Sequence, residues 1–309
     1  AALLQFIVPL GDSGVLVTLW ILNIIALSTS YFLLIRILQR YNFSQNLATF
    51  ITILFLLINT PLLRTLGFVQ VNLLVIDLII LSLLTYPKNN FLSALTLALA
   101  VHLKTSPAVL VLAFLLEFNW KWLIWFAITF ILIGLFPVAI NGTQPYFDYV
   151  NNAFLLTQIP DTNFHDTSFD SFLRIVLILK VLLLIATLFV MTKNIRQKSF
   201  SQENKLFNAI PSLFIFMTLA SPIVWDHHGM FVTLSFLLLF KRIDNPNHWL
   251  LFAFAYFLEF ILPSFDFFPW SYGRLFAPLI VLWLMFVTSK NNEPTKFISS
   301  ANQYLAKIQ

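Results

Sequence analysis

Ser221-Pro222-Ile223-Val224-Trp225-Asp226-His227-His228 sets a carboxylate and two imidazoles between two apolar runs, Leu206 to Ala220 and Gly229 to Phe240. In a water-soluble chain this would be an ordinary loop. Between membrane spans, an acid and two imidazoles are costly to bury and line a water-filled cavity or a site. Which setting applies depends on the rest of the chain.

Working outward, the 309 residues are 59% hydrophobic and only 10% charged, with a mean hydropathy of +0.87. A soluble domain of this size carries far more polar surface. Apolar runs of roughly 17 to 22 residues recur with short polar breaks between them, the pattern of successive transmembrane helices. The alternation of a membrane barrel is absent, and a helix satisfies its own backbone in hydrocarbon. The expected fold is therefore all-α, a polytopic transmembrane bundle of about 10–11 helical segments.

Segments are expected at Val15–Ile37, Leu47–Leu63, Val71–Tyr86, Phe91–Leu103, Ala108–Glu117, Trp122–Ile140, Phe172–Thr192, Leu206–Ala220, Met230–Phe240, Trp249–Leu262 and Leu275–Ser289. Several are too short to cross a bilayer upright and read as half-helices packed inside the protein. No repeat or low-complexity linker divides them, so residues 1–289 read as one membrane domain. Within it, 141–170 forms a long outer loop, and 290–309 forms a cytoplasmic tail.

Charge orients the bundle. With the end of the first span inside, all but Arg64, Lys104, Arg174, Lys180 and Arg274 of the 18 basic residues fall on the cytoplasmic side, as the positive-inside rule requires. This holds only if Phe91 to Glu117 is two helices broken at His102-Leu103-Lys104-Thr105-Ser106-Pro107. Pro107 supplies a local cause, since it deletes an amide donor and disfavours a helical Ser106. The net charge of +5 thus reflects orientation in a bilayer, and no nucleic-acid partner is expected. The absence of Cys removes disulfide and thiolate chemistry. The Ala1-Ala2-Leu3-Leu4 start has no basic n-region and reads as the interior of a longer gene product.

With that parity, Arg64, Gln70, Lys104, the 141–170 loop, Arg174 and Asp226-His227-His228 gather on one outer face. Asp226 and the two histidines suit acid–base chemistry or phosphate binding, or else form a solvated hairpin. A metal is disfavoured because no third ligand stands at a diagnostic spacing. Lys104 either holds an anionic group beside the amides of Thr105 to Ala108 or snorkels to the interface. Gln70 and Asn72 offer amides for sugar hydroxyls, for helix capping or for bridging helices. Asp77 lies deeper and needs a partner, for which Lys180 has the right charge. The 141–170 loop, with Tyr146, Phe147 and Tyr149, suits an amphipathic segment on the membrane surface.

Several of these segments together resemble glycosyltransferase family 87, polyprenol-phosphate-mannose-dependent α-mannosyltransferases of the C-type glycosyltransferase superfamily. Ser221 to His228 is similar to that family's Ser-Pro-Ile-Ser-Trp-x-His-His segment. Leu103-Lys104-Thr105-Ser106-Pro107 resembles its Leu-Lys-Pro-x-Pro helix break. Gly67 to Leu74 resembles a Gly-Gln-x-Asn-Leu-Leu segment, with Phe68 and Val69 intervening. Asp166-Thr167-Ser168-Phe169 followed by Arg174 resembles an Asn-Gln-Ser-Leu segment followed by Arg.

The resemblance implies an inverting transfer of mannose or a related hexose from a polyprenyl-phosphate donor to a glycan or glycolipid acceptor at the extracytoplasmic face of the cell membrane. No cofactor is implied. Lys104, Arg174 and His228 would hold the donor phosphate. Gln70, Asn72, His227 and Asp166 would bind sugar or acceptor, and Asp226 would be the catalytic carboxylate. Superfamily members carry the catalytic acid in the first outer loop. Asp12 follows Pro9-Leu10-Gly11 too late for that position and reads as an N-cap. The acid is then upstream of this chain or lost. A transporter or flippase of lipid-linked saccharide, or a non-catalytic relative, is the competing reading.

Overall fold

The computed structural model describes residues 7–144, 146–148, 150–151, 167–196, 202–219, 226–262 and 273–288; within these, side chains at 167–177, 180, 202–204, 207, 219, 226–227 and 273–275 fall outside the description. Among the described residues the fold is all helical. α1 (Gly11–Arg40), α2 (Gln45–Leu57), α3 (Thr60–Gly67), α4 (Asn72–Thr85) and α5 (Asn90–Leu103) come first. A 3-10 turn, Ser106–Leu110, leads into α6 (Val111–Leu116), followed by α7 (Trp120–Asn141), α8 (Thr167–Ile195) and α9 (Gln202–Leu219). A second 3-10 turn, Asp226–Phe231, opens α10 (Val232–Phe240); α11 (Pro246–Tyr256) runs into a π-helical turn, Phe257–Ile261, and α12 (Gly273–Val287) closes the bundle.

Among the described residues, two helices are long and apolar enough to cross a membrane alone, Ile7–Arg40 and Trp120–Asn141; α2 and α3 qualify only as a pair bent by 60°. Helices α4, α5 and α10, with 14, 14 and 9 residues, are shorter, in keeping with half-helices packed against protein. The bend corrects the expectation of one span over Leu47–Leu63. Asn59 caps α3 by accepting from Leu62 N–H at 2.9 Å, and Pro61 stands in its first turn, so a new helix starts inside the apolar run. Asp12 also departs from its expected role. The N-cap of α1 is Leu10, without a side-chain bond, and Asp12 lies exposed in the first helical turn.

Polar contacts sort into the two ends of the bundle. At the basic end, Arg40 donates to the carbonyls of Leu84 and Tyr86 at 2.6 and 3.0 Å, satisfying the orphan acceptors at the end of α4. Tyr86 donates to Glu117 at 2.8 Å and accepts from Asn119 at 2.8 Å. Arg242, 3% exposed, bonds Asn208. Burial pulls its guanidinium down to about 10, with Tyr41 acting the other way. At the same end Trp122 stacks on Phe114 at 3.5 Å and donates to Ser93 at 2.9 Å. Asp77 is bonded by Ser30 of α1, so the carboxylate is met by a hydroxyl, while the Lys180 side chain lies outside the described residues.

Helix lengths then shape the opposite end. α1 has 30 residues and α4 has 14, or about 45 and 21 Å at 1.5 Å per residue. Since Arg40 ties their basic ends together, α4 stops roughly 20 Å below the far end of α1. α5, also 14 residues, packs between α4 and the 22-residue α7. The first residue of α4 and the last of α5 therefore form a recessed floor between longer helices.

Candidate functional site

Asn72 and Lys104 occupy that floor. Lys104 caps the C-terminus of α5 in an extended conformation, its N–H still bonded to Ala100 at 2.9 Å. The chain cannot continue as α-helix toward Pro107. Its half-buried side chain donates from Nζ to Asn72 Oδ1 at 2.9 Å and stands 5.1 Å from the centre of the Phe231 ring. Asn72 is 1% exposed and does not cap its own helix, so its amide is turned to bridging. Beside Lys104, Ser106 Oγ is buried with no hydrogen-bond partner among the described residues. The Ala108 amide is already taken by Thr105 O at 3.0 Å.

Phe231 ends the six-residue turn that carries Asp226, His227 and His228. At about 2 Å rise per residue that six-residue turn is some 10 Å long. His228 is half-buried. The side chains of Asp226 and His227 fall outside the described residues, as does the Ser221–Trp225 stretch. The turn packs along α3 and touches α4, α9 and α10.

Gln70 is half-buried just before Asn72, its N–H bonded to Thr65 O at 2.9 Å. The preceding Val69 has φ +52°, a left-handed conformation that is an outlier for a β-branched residue. Such strain persists only where surrounding contacts impose it. Arg174 lies on α8, which packs on α9 and α12; its side chain, and all of Asp166, lie outside the described residues. Of the 141–170 loop, Tyr146 donates to Gly134 O at 2.9 Å and Phe147 is exposed.

Glu259 was not among the residues expected from sequence. It lies in the π-helical turn after α11, 1% exposed, and its carboxylate abuts Gly229 of the 226–231 turn. An acid inside an apolar segment was signal enough to raise it, but its neighbour is distant in sequence. An apolar groove of about 550 Å³ opens between α1, α2 and α3, with Leu27, Tyr31, Leu56, Leu62 and Leu66 in its wall.

No curated protein and no solved structure matched the chain. A family model described as glycosyltransferase family 87 matches residues 1–222. That span contains Gln70, Asn72 and Lys104 and stops just before the Asp226–Phe231 turn. Covering well over half of the sequence, the match establishes that the chain belongs to glycosyltransferase family 87.

Proposed function

We propose that this glycosyltransferase moves mannose or a related hexose from a polyprenyl-phosphate donor to a glycan or glycolipid acceptor, with inversion, at the extracytoplasmic face of the cell membrane. The carrying observation is Lys104, a cation at a helix break on a recessed floor, held by Asn72 at 2.9 Å beside the histidine-bearing turn. A phosphate leaving group departs already charged and needs such a partner more in the transition state than in the ground state. Ser106 Oγ adds a neutral donor.

In this reading the acceptor hydroxyl attacks the anomeric carbon as the bond to the phosphate oxygen breaks. The electron pair goes to the lipid phosphate, next to Lys104 and His228, with Arg174 as a further phosphate ligand. The hydroxyl proton goes to a carboxylate, either Asp226 or an acid upstream of this chain. Gln70, His227 and Asp166 bind sugar or acceptor, while the buried Asn72 orients the Lys104 ammonium. The apolar groove beside α3 is a place for an isoprenoid chain. The basic end, with Arg40, Lys241 and the 290–309 tail, faces the cytoplasm.

The test is transfer of labelled mannose from polyprenyl phosphate in membranes carrying this chain, alone and with its native upstream sequence restored, beside Lys104→Ala. Transfer that requires Lys104 supports the reading. Absence of transfer from both folded forms would favour a transporter or a non-catalytic relative.

A further inference from the structure

We infer that Glu259 is a positioning residue for the phosphate end of this site; the inference rests on the lipid-phosphate reading above. A carboxylate this deep in an apolar bundle is costly, and such groups mark functional places. Its backbone is unusual in the same sense. The π-helical turn Phe257–Ile261 widens the helix by one residue and rotates the residues after it, a feature found mostly at functional sites.

That turn is fastened on both sides to the α2–α3 break. Thr60 Oγ1 donates to Phe260 O at 2.6 Å, and Tyr256 Oη donates to Ile58 O at 2.6 Å. Asn59 in the same break donates to Thr233 Oγ1 at 3.0 Å, anchoring α10 just after the histidine turn. Three irregular segments therefore lock together, and the Glu259 carboxylate meets the histidine turn at Gly229. A Cβ on Gly229 would overlap Glu259 Oε1 and lie 3.1 Å from Pro61 Cγ.

Gly229 follows His228 directly and precedes Phe231 by two residues, and Phe231 lies under the Lys104 ammonium. A continuous line of contact thus runs from the Glu259 carboxylate through the Gly229 backbone and the Phe231 ring to Lys104 and Asn72. Glu259 does not reach the donor in this arrangement. It sets where the turn sits, and so where Phe231 meets Lys104.

The test uses the full chain in nanodiscs and binding of a short isoprenyl monophosphate. Glu259→Gln keeps the volume and removes the charge. The expected result is a Kd raised tenfold or more with an unchanged melting temperature, partial recovery in Glu259→Asp, and comparable weakening in Gly229→Ala. In transfer assays the donor KM rises and the acceptor KM does not. Because Gly229→Ala alone can misfold, Gly229→Ala/Glu259→Ala is the second arm: it makes room for the methyl, and binding stays weak. Wild-type binding by Glu259→Gln, or its return in the double variant, makes the residue a space-filler and overturns the inference. A wild-type chain that fails to bind the probe overturns the donor reading itself, an outcome distinct from equal binding by wild type and variant.

Discussion

Lys104 Nζ donates to Asn72 Oδ1 across the end of the α4–α5 hairpin at 2.9 Å, so a buried amide orients the cation on the recessed floor. The aromatic ring of Phe231 also packs against the ammonium, 5.1 Å away.

Replacing Lys104 by Ala is expected to lower hexosyl transfer on the order of 10²–10³-fold, the usual loss when one preorganised donor to a developing anion is removed. Asn72→Ala should cost less, about tenfold, because the cation stays but loses its orienting bond. Initial rates in membranes with equal protein levels decide the point. Asn72→Ala more damaging than Lys104→Ala would reverse the assigned roles.

Ser30→Ala leaves the Asp77 carboxylate, 7% exposed, without its hydroxyl donor. The expected cost is about 1–3 kcal/mol. Asp77→Asn keeps an acceptor for Ser30 and removes a buried charge, so it should melt close to wild type. Thermal unfolding in detergent separates the two. A large loss in Asp77→Asn would point to a cationic partner instead.

Val69 at φ +52° predicts that Val69→Gly relieves strain worth about 1 kcal/mol, raising the melting temperature while loosening the approach to Gln70. A lower melting temperature with intact expression would mean that the valine side chain is the larger contributor.

Tyr256→Phe removes the hydroxyl that bonds Ile58 O at 2.6 Å in the α2–α3 break. A destabilisation of about 1 kcal/mol is expected, together with faster amide exchange at residues 58–62. Unchanged exchange there would show that Asn59 and Thr60 hold the break by themselves.

Much of the scaffold was legible locally. Val71–Tyr86 and Phe91–Leu103 became Asn72–Thr85 and Asn90–Leu103, because hydropathy and Pro107 act within a few residues of the chain. The break at Lys104 followed from Pro107 and the charge count. The α2–α3 bend also had a local signal, Asn59 with Pro61, but Leu47 to Leu63 is almost uniformly apolar and reads as one span. Glu259 was hidden for a different reason, since its importance rests on Gly229, thirty positions away.

Periodicity, proline and residue type are properties of short segments, and they suffice to make the chain helical and apolar, to give it a family likeness, and to mark Asn72, Lys104 and the Asp226–His228 turn as carriers of polar chemistry. They do not say that Lys104 meets Asn72 and Phe231, that Asp77 is met by Ser30, or that Glu259 backs the turn at Gly229. Those pairings depend on how far each helix rises and how it rotates, and these are set by packing between segments distant along the chain.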